Sequence, residues 1–290
     1  MTRSKLMLAG TLAGALALAA CSQAETETEP TAAATPGMNA RLDQALAADI
    51  RVDDRARDAF RHPAETLAFF QVEPTHTVIE YAPGGGWYTR ILAPYLADEG
   101  RYIGVGFGPE AVTAALGEDA AVSVREGGEN FAATQSEAMG LPAEKVLFYF
   151  TDSIPEDLNG TVDRALVIRM THNLMRWGIA ESEVAALYKA LKPGGLLGAV
   201  QHRAKPDAPL EYVDGSKGYL KYADTVALFE GAGFEFVEAS EINANPKDTA
   251  DYEDGVWTLP PTYARGDEDR ATFEGIGESD RMTLLFRKPE

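Results

Sequence analysis

Two groups of residues in this chain have the types and spacing to do chemistry. The first is a glycine turn that closes an apolar run, Val78-Ile79-Glu80-Tyr81-Ala82-Pro83-Gly84-Gly85-Gly86. Glycines at such a turn let backbone approach a ligand closely, and the N-terminus of a following helix favours a negative group. The second is a set of polar residues that follow later apolar runs. Met170-Thr171-His172-Asn173 offers an imidazole able to act as a base and an amide able to position a substrate, and His202-Arg203 offers a second imidazole. Each also has a plain reading: His172 suits a helix cap or a bond to a carbonyl equally well. Tyr81, Trp87 and Tyr88 flank the glycine turn, where a ring could stack on a ligand, although packing accounts for Trp87 equally well. His62, in Arg61-His62-Pro63, reads either as a pocket residue or, more simply, as a helix break. Tyr219, Lys221 and Tyr222 read as substrate contacts or as a surface patch.

Several chemistries are disfavoured. The single cysteine, Cys21, lies near the N-terminus, so the body has no thiol nucleophile and no cysteine metal site. No HExxH pattern appears, and Asp214-Gly215-Ser216-Lys217-Gly218 lacks the first glycine of a nucleophile elbow. A dinucleotide turn would need a third glycine where Thr89 stands, and a phosphate loop would need Gly-Lys-Ser/Thr. The net charge of −19, with no cluster of bases, excludes nucleic acid as a partner.

These residues need elements to hold them. Short amphipathic helices are expected over 39–48, 53–60 and 65–70. Strands are then expected over 77–81, 102–107, 145–150, 162–170, 196–201, 234–242 and 282–287. Helices over 87–96, 110–116, 181–191 and 223–233 separate most of them. Alternation of strand and helix predicts a mostly parallel sheet with helices on both faces. The last strand, lacking an obvious helix before it, is expected to enter antiparallel. Residues 243–280 read as a long irregular insertion, with Val256-Trp257-Thr258-Leu259-Pro260-Pro261 apolar enough to pack down. In such a sheet ligands bind beyond the carboxyl ends of the strands, where the glycine turn, Thr151-Asp152-Ser153, His172 and His202 all fall.

The N-terminus has its own logic. Arg3 and Lys5 precede a short apolar run that ends at Cys21, the pattern of a secretory signal over residues 1–20. Leu18-Ala19-Ala20-Cys21 resembles the bacterial lipobox, which implies lipidation of Cys21. Ser22, in place of Asp, implies the periplasmic face of the outer membrane. Residues 21–38 read as a disordered tether and 39–290 as one domain.

The acid and spaced small residues, Glu80-x-Ala82-x-Gly84-x-Gly86, resemble the acid-x-Gly-x-Gly-x-Gly pattern of the class I S-adenosylmethionine-dependent methyltransferases. The strand order, Leu191-Lys192-Pro193-Gly194-Gly195 before the fifth strand and the final strand are similar to that family too. Tyr81–Tyr88, Gly218–Tyr222, 256–261 and Glu278–Met282 resemble a subgroup of exported bacterial predicted methyltransferases. The likeness spans roughly residues 53–289. It implies a Rossmann-like methyltransferase fold with a seven-stranded sheet, S-adenosylmethionine as cofactor and a small-molecule substrate. By the same resemblance the loop of Gly84, Gly85 and Gly86 passes under the methionine part, Glu80 organises the loop and amine end, Asp152 approaches the adenine, and Tyr81, Ala82, Gly106 and Ser153 are further cofactor-binding candidates. One position departs from the pattern: Gly106 stands where the family places the acid that holds the ribose hydroxyls. That departure, and a cofactor made in the cytoplasm, leave a second reading open, a non-catalytic lipid-anchored binding protein on the same scaffold.

Overall fold

β-branched and aromatic residues between turn residues form the strands, and the computed structural model, which describes residues 36–290, assembles seven of them into one sheet. The expected signal segment, Cys21 and residues 21–35 of the expected tether lie outside the described residues. Three helices come first: α1 (Pro36–Ala47), α2 (Asp58–Arg61) and α3 (Pro63–Phe69). Then follow β1 (Thr77–Tyr81), α4 (Thr89–Leu96), β2 (Arg101–Gly106), α5 (Pro109–Leu116), α6 (Glu118–Met139) and β3 (Val146–Phe150). The second half runs β4 (Val162–Ile168), α7 (Thr171–Trp177), α8 (Ala180–Ala190), β5 (Leu191–His202), α9 (Tyr222–Gly231), β6 (Glu235–Ser240), α10 (Arg270–Ile276) and β7 (Arg281–Arg287).

The strand order is β3-β2-β1-β4-β5-β7-β6, with β7 antiparallel to both neighbours and the other pairings parallel. The chain therefore reverses its direction of travel across the sheet between β1 and β4, and a crevice opens beyond their carboxyl ends. Alternation along β1 sends Val78 to one face with Trp87, Ile91, Leu92 and Phe131, and Ile79 and Tyr81 to the other with Leu174, Val184, Leu187 and Phe229.

The structure departs from the sequence expectation in several places, among them helix α7, which has no counterpart there, and 53–60, where the α-helix covers only Asp58–Arg61. Helix α6, 22 residues long, has no counterpart in that expectation: of its residues only Ala121, Gly128, Phe131 and Ser136 are buried, too few to write an apolar stripe. β4 stops at Ile168 because Arg169 turns left-handed, with φ 58°. β5 begins at Leu191, taking Pro193-Gly194-Gly195 into the strand with a shift in register against β4. The insertion holds one short helix, α10, anchored by buried Phe273. In addition, α1 begins at Pro36, three residues ahead of the expected domain start.

The insertion matters for position. Because β6 ends and β7 begins at the carboxyl edge of the parallel strands, residues 241–280 are laid over that edge. Asn243 fastens them there, its amide donating to Thr66 Oγ1 at 3.0 Å and Thr283 Oγ1 at 2.9 Å. Thr258 and Leu259 are buried, so the apolar patch does pack down.

Candidate functional site

The glycine turn bends sharply: Ala82, Gly84 and Gly86 have φ of 46°, 57° and 76°. The left-handed region is costly for a residue with a Cβ, which accounts for two of the three glycines. Gly86 has a second reason, since a Cβ there would come within 2.6 Å of the Gln135 side-chain amide on α6. At Gly85, whose φ is not positive, a Cβ would meet nothing within 4 Å. That position has only open space to fill.

Two cavities meet at this turn, both lined by Ala82, Pro83, Gly84 and Met170. One, about 230 Å³, is walled by Gly106, Phe107, Phe131, Phe148 and Phe150 and roofed by α6 through Ser123, Val124 and Gly127. The other, about 320 Å³, lies toward α2 and α4 and is walled by Arg57, Arg61, Glu80, Tyr88, Arg90 and Arg169. An aromatic chamber and a charged chamber thus share one glycine loop.

Glu80 is buried with its Oε2 accepting hydrogen bonds from Thr89 and Tyr102 hydroxyls, each at 2.7 Å. The Thr89 bond ties the end of β1 to the first residue of α4. Burial pushes the Glu80 carboxyl up to about 7, against the two hydroxyl donors and Arg90, which favour the charged form. Tyr81 faces the opposite side, where its hydroxyl donates to Glu183 Oε2 at 2.6 Å. Glu183 also accepts from Thr151 Oγ1 at 2.8 Å and the Gly108 amide at 3.1 Å. This one carboxylate joins the carboxyl ends of β1, β2 and β3, and burial raises it from the usual range.

The other expected cofactor residues occupy the rim. Asp152 Oδ2 accepts the Glu110 amide at 3.2 Å, in the first turn of α5, and the Ser153 hydroxyl closes the turn after β3 on the Phe150 backbone. Gly106 ends β2, one residue before the expected end, and the packing leaves no room for an acid there. A Cβ there would lie 2.8 Å from Phe148 Cζ and 3.2 Å from Phe150 Cδ1. Aromatic rings fill the place.

His172 and His202 come together, their ring centroids 5.7 Å apart, beneath Trp257 of the insertion and beside Tyr219. His202 Nδ1 lies 2.6 Å from Ser279 Oγ, and His172 Nδ1 lies 3.4 Å from Gln201 Oε1. Burial lowers both: His172 to about 4, with Arg176 and Arg169 adding to the shift, and His202 well below the usual value, with His172, Arg169 and Arg281 adding. Both imidazoles are therefore neutral at pH 7. The Asn173 amide donates to Met170 Sδ at 3.3 Å, leaving its buried Oδ1 without a partner. His62 forms the left-handed corner between α2 and α3, φ 39°, which is the helix-break reading. Trp87 is packed by guanidiniums, Arg61 at 4.7 Å and Arg51 at 5.1 Å from its ring, so it supports the wall. Tyr219 bonds Asp248, while Lys221 and Tyr222 line a separate cleft with Arg203.

Sequence reasoning missed the arginines. Arg57, Arg61 and Arg281 converge on Glu278, at 2.7, 3.1 and 3.0 Å. The first two are 221 and 217 residues from that carboxylate, so no local spacing announces the cluster.

No protein-family model matches this chain, and no curated protein matches it either. Solved structures do match. A SAM-dependent methyltransferase from Aquifex aeolicus aligns at 16% identity and TM-score 0.50, over 82% of this chain and 95% of its own. The [4+2]-cyclase SpnF aligns at 16% identity and TM-score 0.51, over 80% of this chain and 82% of its own. The chain has the fold of the class I S-adenosylmethionine-dependent methyltransferases. Within that fold, the paired cavities lie at the topological switch point, where open α/β sheets bind ligands.

Proposed function

We propose that this protein is an S-adenosylmethionine-dependent methyltransferase acting on a small molecule in the cell envelope. The observation that carries the proposal is the pair of chambers sharing one left-handed glycine loop at the β1/β4 switch point. The charged chamber suits the amino-acid end of the cofactor, with Glu80 toward its ammonium group. The aromatic chamber suits its adenosine, with Phe148 and Phe150 offering ring faces. When bound, the cofactor supplies an electrophilic methyl group on a sulfonium. The chain's own part is to align a nucleophile and exclude water. His172 and His202, held neutral, are proton acceptors within the field of Arg169, and Asn173 has an unsatisfied carbonyl oxygen, but none of the three lines either chamber.

The test is a calorimetric titration of the full chain with S-adenosylmethionine and S-adenosylhomocysteine. Gly85→Val is the companion variant, because it adds bulk at the one loop glycine where the backbone is not left-handed and a Cβ meets nothing within 4 Å. It is expected to weaken binding at least tenfold and leave the melting midpoint within a few degrees. Unchanged affinity in that variant would remove the loop from the binding site.

A second reading is a binding protein, or an enzyme of another class, on the same scaffold. It is favoured by the rings of Phe148 and Phe150 where a ribose-binding acid would stand. The similarity to a [4+2]-cyclase adds weight, since one fold hosts different activities. Absence of any cofactor binding by wild type would select it.

The envelope location rests on the N-terminal signal and Cys21 alone. No helix of the described residues is long and apolar enough to cross a membrane.

A further inference from the structure

The charged chamber holds more cations than the carboxylates around it can match. Asp54 is taken on both oxygens by Arg90, at 2.6 and 2.8 Å, and Asp58 is taken the same way by Arg51. Glu278 alone must serve Arg57, Arg61 and Arg281. Arg169 has no carboxylate within 4.0 Å among the described residues and sits in the left-handed region, where an arginine is strained. Three guanidinium nitrogens of the chamber wall, Arg57 Nη2, Arg61 Nη2 and Arg169 Nε, are buried with no hydrogen-bond partner. Arg61 is only 2% exposed. Guanidiniums do not shed their proton at neutral pH, so such a set is stable only with counter-charge nearby.

The cofactor supplies that charge only in part, through a single carboxylate. Its amino-acid end is zwitterionic and brings an ammonium with that carboxylate, so it leaves the net excess in place. Glu80 supplies little, being buried and near half protonation at pH 7. The Tyr88 hydroxyl, pushed up to about 12 by burial, remains a donor in the same wall. All the unsatisfied groups are donors, and planar guanidinium forks match the oxygens of carboxylate and phosphate.

We propose that Arg57, Arg61 and Arg169 form the recognition site for an anionic group of the substrate, a carboxylate or phosphate-type oxyanion, seated beside the glycine loop. The word substrate rests on the methyl-transfer reading; the anion site does not. It also gives a chain of net charge −19 a local reason to attract an anion.

The experiment follows the thermal midpoint of the full chain in inorganic phosphate and in malonate, against sodium chloride at equal ionic strength, with and without S-adenosylhomocysteine. A ligand that binds only the native state raises the midpoint with concentration. At least one anion is expected to raise it by several degrees beyond chloride, with S-adenosylhomocysteine present as well as absent. Arg57→Gln, at a partly exposed position, and Arg169→Gln are each expected to weaken the anion effect at least tenfold, the loss of a charge-assisted hydrogen bond. Because both residues also wall the chamber proposed for the cofactor's amino-acid end, their affinity for S-adenosylhomocysteine is expected to fall several-fold less than the anion effect. Without anion, Arg169→Gln should melt no lower than wild type, because it removes an unpaired buried charge.

Failure of both anions in wild type overturns the inference, as does persistence of the effect in both variants. A matching loss of S-adenosylhomocysteine affinity in the variants also overturns it, because the arginines would then hold the cofactor's own carboxylate. If wild type binds anion through Arg57 but never binds S-adenosylhomocysteine, the methyl-transfer reading falls and the anion site stands.

Discussion

Replacing Glu80 with glutamine tests the electrostatics of the site through the pH dependence of stability. Burial raises this carboxyl from an ordinary 4.5 to about 7 while the unfolded chain leaves it ordinary. Between those two values the native state binds more protons than the unfolded state, so stability falls as pH rises. The native state carries no penalty below about pH 4.5 and the full penalty above about pH 7. At ~1.4 kcal/mol per pKa unit the full penalty is roughly 3 kcal/mol. The group is 3% exposed, so solvent does little to reduce that figure. A glutamine side chain cannot ionise and keeps an oxygen for the Thr89 and Tyr102 hydroxyls. The stability difference between Glu80→Gln and wild type should therefore move by roughly 3 kcal/mol in favour of the variant from pH 4 to pH 8.5. For a domain of this size that is roughly 6–12 °C in melting midpoint. Urea and thermal melts of both proteins across that range read it directly, and any constant offset from altered hydrogen bonding drops out of the slope. Parallel curves would refute the reasoning, because they would mean that Glu80 is fully ionised in the native state. The same group gives a ligand signature. If Glu80 faces the cofactor's ammonium, wild-type affinity for S-adenosylhomocysteine should rise between pH 6 and 8 and then level, and Glu80→Gln should lose that rise.

Two further outcomes are expected. Gly106→Asp should fail to tighten S-adenosylhomocysteine binding, and Gly106→Ala should already lower the melting midpoint, since a Cβ there meets Phe148 at 2.8 Å; tenfold tighter binding by the aspartate variant would show that the rings yield and that ribose lies there. Cys21→Ser should release the protein from membranes in a fractionation experiment, and a variant that stays membrane-bound after a salt wash would place the anchor elsewhere.

The scaffold was legible in the order of the residues. Apolar runs bounded by glycine, proline and aspartate placed all seven strands to within a few residues except at the start of β5. Alternation with helices required a mostly parallel sheet, and the glycine turn after Glu80 marked its binding edge. These signals are local: a period of two or 3.6 residues is written in consecutive side chains. Helix α6 escaped because its exposed faces and paired glycines, Gly127-Gly128, leave no period to read; Gly128 is instead demanded by Phe150, whose ring a Cβ there would overlap. What the binding edge contains emerged only on packing. Glu278 arrives from the far end of the insertion to meet Arg57 and Arg61 from helices more than 200 residues earlier. His172 and His202, expected as separate candidates, become one buried neutral pair, with Trp257 of the insertion against His172 and Ser279 against His202. Charge balance and burial are sums over neighbours in space, and chain order does not carry them.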